Sequence, residues 1–310
     1  MTALTRREWH KLVLGGIIAA PGLRGRRAAP AGSTLSATTP DSTIAGVRLG
    51  AQSYSFRDRP LEQAIAAMKE IGLGFCELWG DHVEPRRFEG AATRAELREA
   101  LRKWRLSVPL DDFRAVRAGF DAAGIRLTAY NISFRDDFTD EEIARGFEMA
   151  QALGVKVITA SANVTTAPRV DPLAQKYGIK VGFHNHAGPT PNEFSGPQDF
   201  EAALKGRSDM LAINLDIGHF VAAGHDPLEF LDHHHARIVS LHLKDRRRGD
   251  RVANLPFGEG DTPIIDVLQR LRDRHWDIPA NIEYEYAGAD TVAEVRRCFE
   301  YCRKALVAGR

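Results

Sequence analysis

Eight times along this chain, a short apolar, β-branched run gives way to an amphipathic segment with helical spacing. The strand-like runs lie at about 48–54, 74–79, 126–132, 156–160, 180–184, 212–216, 238–243 and 280–285. Helical patterns fill 60–71, 94–104, 113–123, 139–153, 172–177, 197–204, 227–232, 262–273 and 291–307. The return from helix to strand reuses one punctuation: Ala123-Gly124-Ile125, Leu153-Gly154-Val155, Tyr177-Gly178-Ile179. A glycine past a helix end followed by a β-branched residue is the expected stop signal. Alternating βα units require a parallel sheet, and eight of them close into a single α/β domain, a (β/α)8 TIM barrel. A doubly wound open sheet is the alternative. No Gly-x-Gly-x-x-Gly follows the first strand, so a dinucleotide site has no support.

Composition narrows the partners. Of 310 residues, 42 are Lys or Arg and 41 Asp or Glu, a net charge of +1. Such a balance offers no overall field for nucleic acid or an anionic membrane. Neither nucleic acid nor stable membrane insertion is expected, and a homo-oligomer is left open. Three cysteines, Cys76, Cys298 and Cys302, are too few and too sparse for a disulfide framework and read as core thiols.

The first 43 residues read as leader and linker, and 44–310 as the barrel. Arg6-Arg7, Trp9 and Lys11 precede a mildly apolar stretch from Leu12 to Ala20, and Ala29-Pro30-Ala31 offers small residues for cleavage. This resembles a twin-arginine export signal and implies a periplasmic or otherwise exported protein. The apolar stretch is too short to span a bilayer.

Ligand-type residues recur at the ends of the last four strands. They are His184-Asn185-His186, Asp216-Ile217-Gly218-His219, His242-Leu243-Lys244-Asp245 and Glu283-Tyr284-Glu285. Residues two apart on a strand face the same side. In a barrel, function gathers where strands end. Converging there, these side chains could bind a divalent cation. Two carboxylates on one face, Glu283 and Glu285, need a cation or a proton between them. Glu77 and His82, after the second strand, are candidate substrate contacts. Arg246, Arg247 and Arg248 read as a solvated charge cluster, and His233-His234-His235 as solvated surface.

On Asp216-Ile217-Gly218-His219, His242-Leu243-Lys244-Asp245, Gly258-Glu259-Gly260 and Ile282-Glu283-Tyr284-Glu285, the chain resembles the xylose-isomerase-like TIM barrels, often called sugar phosphate isomerases/epimerases. The resemblance covers nearly everything after the leader. It implies one divalent metal held by Asp216, His242, Glu283 and a first ligand, with His219 on the substrate. The family's usual first ligand is Glu. Here His184 stands in its place, and the ligand could be His184 or His186. Imidazole for carboxylate shifts the preference from Mg toward Mn, Co, Fe or Zn.

The epimerases' second catalytic carboxylate is missing, with Thr190 near its place. The resemblance then implies a metal-dependent isomerase or epimerase acting on a keto-sugar or sugar derivative through a stabilised enediolate. His186, Lys244 and Glu285 are the candidate bases, and burial near a cation is expected to lower the pKa of Lys244. The alternatives are a lyase or hydratase on 3-keto-glycosides and a non-catalytic carbohydrate-binding barrel.

Overall fold

The computed structural model describes residues 39–308 except 189 and 289, so the expected export signal, within 1–38, lies outside the described residues. A hairpin opens the described chain. Strand β1 (Thr43–Ile44) runs antiparallel to β2 (Val47–Gln52), joined through Ala45 and Gly46, both at positive φ. That is the backbone of a tight two-residue hairpin. The parallel strands that follow β2 are β3 (Phe75–Trp79), β4 (Arg126–Asn131), β5 (Val157–Ala160), β6 (Lys180–His184), β7 (Leu211–Asp216), β8 (Ile238–Leu243) and β9 (Ala280–Ile282). Each pairs in parallel with the next, and β9 returns to β2 through Leu49↔Ala280 and Ala51↔Ile282. Eight strands therefore close into a (β/α)8 barrel.

Helices α1 (Leu61–Ile71), α2 (Arg94–Ser107), α3 (Leu110–Ala123), α4 (Asp140–Ala152), α5 (Ala167–Tyr177) and α6 (Pro197–Leu204) cover the first part of the ring. They are followed by α7 (Ile217–Ala222), α8 (Pro227–His234), α9 (Ile264–Arg274) and α10 (Thr291–Val307). Thr93 and Thr139 close α2 and α4 with capping boxes to Glu96 and Glu142. Gly72, Gly124 and Gly178 end α1, α3 and α5 in the left-handed conformation. The core lies between strands and helices. Phe183 on β6 stacks on Phe194 at 4.8 Å, one step in a run of buried aromatics. All three cysteines are buried free thiols. Among the described residues no helix is long and apolar enough to cross a membrane.

Three local expectations are corrected. The helix expected at 172–177 starts at Ala167, because Pro168 opens it and Pro172 is carried inside. The segment after Asp216 is itself helical, α7, with the Asp216 carboxylate capping the His219 amide. The last strand pairs only to Ile282. Beyond it, Ser55 takes over. Its hydroxyl donates to the Ile282 carbonyl and accepts from the Tyr284 amide, both at 3.0 Å.

Candidate metal centre

The pleat decides what reaches the barrel mouth. On β7, Asn214 and Asp216 face inward; on β8 and past its end, Ser240, His242 and Lys244; at β9, Asn281, Glu283 and Glu285. All but Glu285 are buried. Register sets Asp216 beside His242 and His242 beside Asn281. His184, Asp216, His242 and Glu283 each offer one ligand atom, and these atoms all lie within 4.8 Å of one another.

The set fits a divalent metal. Two imidazoles and two carboxylates suit Mn, Fe, Co or Zn better than Ca or Mg. Asp216 Oδ2 is buried without a hydrogen-bond partner of good geometry and meets only the Lys244 ammonium at 3.1 Å, which leaves it open to a metal ion. His186 stands one step outside the four. Its ring lies 4.9 Å from that of His184, its amide donates to the Phe194 carbonyl, and it lines the cavity.

A second layer holds the first. His242 Nδ1 and Nε2 lie 2.9 Å from Glu283 Oε2 and Glu77 Oε1 respectively. Glu77 is itself held by Thr159 Oγ1 at 2.7 Å and Ser240 Oγ at 3.1 Å. It is wholly buried and does not line the cavity, so it backs His242 rather than touching substrate. This leaves Nδ1 as the natural metal donor, with the Nε2 proton given to a carboxylate. His82 is also absent from the cavity wall, its Nδ1 lying 2.9 Å from Ser53 Oγ. Asn185 clamps β7 by accepting from the Asp216 amide and donating to its carbonyl, both at 3.0 Å. Gly218 is required by close approach, because a Cβ there would sit 2.5 Å from the Lys244 carbonyl oxygen.

Lys244 corrects an expectation. Its ammonium lies 3.1 Å from Asp216 Oδ2, 3.0 Å from Glu283 Oε2 and 3.1 Å from Glu285 Oε2. Burial alone would depress its pKa, but the three carboxylates outweigh burial and raise it. A lysine so held by carboxylates keeps its proton. It also supplies the cation between Glu283 and Glu285.

The other shifts follow the same balance. Burial tends to neutralise His242, yet Glu77 and Glu283 prevail and favour its imidazolium. Burial likewise pushes up Asp216, against the Lys244 charge, to about 6. For Glu283 burial loses to Lys244 and His242, and the carboxyl stays well below the usual range. Burial, then the Lys244 charge, lower His186 and His219, so both imidazoles are neutral at neutral pH.

Arg246 is the second correction. Only 3% exposed, it points its guanidinium at the His219 ring, with Nη1 2.7 Å from Nδ1. Arg247 and Arg248 are exposed, as the solvated reading has it, as are His233 and His234, while His235 is half-buried against Trp276. The Arg246 position shares inward parity with Lys244 and His242, a signal that the run of three arginines masks.

The cavity over these groups measures about 210 Å³ and is walled by Tyr54, Trp79, Asn131 and Ser161 together with His186 and His219. Sites for drug-sized ligands span roughly 300–1,000 Å³, so this one suits a single ring.

Comparison with known proteins places this geometry. The inosose dehydratase of Lactiplantibacillus plantarum is 27% identical over 158 residues, 44% of this chain and 50% of that protein. The relatives matched are spanned over about 42% to 64% of their own length. Among solved structures, a D-tagatose 3-epimerase-like protein superposes with a TM-score of 0.62 at 19% identity, over 82% of this chain and 97% of that one. An IOLI protein with a binding zinc atom gives 0.61 at 16% identity, over 84% and 98%. At these identities the structures speak for the fold alone. The model of one family, described as the xylose isomerase-like TIM barrel, matches residues 65–304, and the chain belongs to that family.

Proposed function

We propose that this barrel is a divalent-metal-dependent enzyme that removes the proton α to the carbonyl of a keto-sugar or related sugar derivative, passing through an enediolate. A divalent ion held by His184, Asp216, His242 and Glu283 would supply the Lewis acid that makes such a proton removable. The observation that carries the reading is His186. It is a cavity-facing imidazole kept neutral by burial and by Lys244, directly beside the four ligand residues. A general base needs that state and that position. His219, 5.4 Å away ring to ring, is placed to touch a substrate oxygen. Trp79 and Tyr54 meet edge to face at 4.8 Å and offer a wall for the apolar face of a sugar ring.

From the enediolate, reprotonation gives an isomerase or epimerase. Loss of a β substituent gives a dehydratase or lyase. Elimination is the second reading, supported by the likeness to an inosose dehydratase and by His186 and His219 lying close together, where one face of the substrate is served. The test is incubation of metal-loaded protein with ketoses, inososes and 3-keto-glycosides in deuterium oxide. Deuterium at the α carbon or an eliminated product is expected; neither, with any sugar, removes the reading. A non-catalytic barrel would show no turnover and no copurifying ion. The arginine pair at Arg6-Arg7 supports export as a further proposal, checked by whether Arg6→Lys with Arg7→Lys keeps the protein in the cytoplasm.

A further inference from the structure

We infer that Arg246 is a positioning residue that fixes His219 in the Nε2–H tautomer, so that the ring presents a hydrogen-bond donor to a substrate oxygen in the cavity. The inference builds on the function proposed above, but its first test does not depend on it.

The argument is proton counting. A neutral imidazole has one ring nitrogen that donates and one that accepts. Cationic side chains approach both nitrogens of His219. Arg246 Nη1 lies 2.7 Å from Nδ1 and Lys244 Nζ lies 3.0 Å from Nε2. Both cannot donate to the same neutral ring. The guanidinium cannot accept, carries its hydrogens in a fixed plane and cannot be deprotonated in a protein. Its other contacts anchor it, with Nε on the Ala253 carbonyl at 3.2 Å and its own amide on Thr262 Oγ1 at 3.0 Å. Lys244 has alternatives, since three carboxylate oxygens lie within 3.1 Å of Nζ, and its stem is flexible.

Nδ1 is therefore the acceptor, and the ring proton sits on Nε2. The backbone holds the ring from the other side, with the His219 amide on Asp216 Oδ1 at 2.7 Å. His219 Nε2–H then presents a donor at the cavity, with the buried Lys244 charge behind it at 3.0 Å. The group this pairing recognises is an acceptor: a carbonyl, an enediolate or a departing hydroxyl oxygen. Stabilising charge on such an oxygen is what preorganised donors contribute to catalysis.

The test uses the full chain labelled with [15N]histidine and stripped of metal by chelator. Its nitrogen spectrum reports which ring nitrogen carries hydrogen, and His219→Gln identifies the resonance. Wild type is expected to show His219 with a bare Nδ1 and a protonated Nε2. Arg246→Met is expected to move the proton to Nδ1 or split the population, and Arg246→Lys, which still donates, to keep the wild-type pattern. A protonated Nδ1 in the wild type overturns the inference. So does an unchanged tautomer in Arg246→Met when the other imidazole signals stay native. If Arg246→Met fails to fold, the wild-type and Arg246→Lys spectra decide alone.

In turnover, Arg246→Met should lower kcat by roughly 10- to 100-fold with little change in KM, and Arg246→Lys should restore most of it. The expected tautomer together with neither deuterium uptake nor elimination from any sugar tested would leave the inference standing and remove the proposed function.

Discussion

Two buried charge clusters sit in this molecule, and they are built on opposite rules. Outside the strands, Arg105 on α2 forks onto Glu84 in the loop after β3 at 2.6 and 2.7 Å, and Arg98 on α2 forks onto Glu142 on α4 at 2.7 and 2.9 Å. Two arginines face two buried carboxylates, in the planar bidentate geometry that gives ion pairs their strength. At the barrel mouth four carboxylates, Glu77, Asp216, Glu283 and Glu285, face two permanent cations, Lys244 and Arg246. The mouth is short by two positive charges, the charge of one divalent ion. A proton on His242, whose pKa Glu77 and Glu283 raise, offsets one of the two missing charges, and a proton on Asp216, taken up only toward pH 6, would offset the other. What separates the two clusters is thus not burial but how the charges are balanced: by fixed guanidinium groups in one, and at the mouth only by protons on groups that could instead hold an ion.

The sharpest way to break this comparison is to remove one carboxylate from each cluster. Glu283→Gln is expected to abolish metal binding at micromolar ion, measured by titration calorimetry and elemental analysis, while the fold survives. Glu84→Gln should leave metal content unchanged and cost up to about 3 kcal/mol of unfolding free energy, because it leaves the buried Arg105 with only the Glu142 carboxylate at 3.6 Å. Metal loss in the second variant and not the first would sink the distinction.

His82 belongs to neither cluster, and it tests burial without compensation. Desolvation lowers its pKa to about 4 from an unfolded value of 6.5. The folded state resists protonation, so the associated stability is complete above pH 6.5 and falls as the pH drops toward 4. The loss amounts to roughly 3 kcal/mol at most, from 1.36 kcal/mol per pKa unit. Urea midpoints at pH 7.5 and pH 4, compared with those of His82→Gln, isolate it; equal slopes in both proteins would count against the account.

Glu77→Gln is expected to weaken metal affinity by about 10- to 100-fold without removing the site, since it acts through the His242 ring. An effect as large as that of Glu283→Gln would move Glu77 among the direct ligands. The smallest contrast is between adjacent arginines. Arg247→Ala should shift stability by less than about 0.5 kcal/mol and leave the His219 nitrogen spectrum alone, whereas Arg246→Met changes that spectrum.

Much of this was legible before any coordinates, and for a physical reason. The period of two on a strand carries His242, Lys244, Glu283 and Glu285 to one side, and alternating βα units make a barrel whose strand ends converge. The same parity reaches one step further than it was taken. Asn214 precedes Asp216 by two, Ser240 precedes His242, Asn281 precedes Glu283, and Arg246 follows Lys244. All are buried around the site. Partnership was harder to read. Glu77 meets His242 across 165 positions of chain, and no local pattern announces such a contact. The direction of the Lys244 shift depended on how many carboxylates surround it, a count that only the closed ring fixes.

The bridge made by Ser55 ties the last candidate ligand to the first stave. Ser55 and Glu283 come from opposite ends of the barrel, yet the serine hydroxyl stands in for the missing ladder at Ile282 and Tyr284. Glu283 is therefore seated from two sides, since its own amide also donates to the Leu243 carbonyl at the end of β8 at 3.0 Å. A chain whose ring had not closed would keep the β8 contact and lose the Ser55 one, so full affinity for a cation would come only with circular completion.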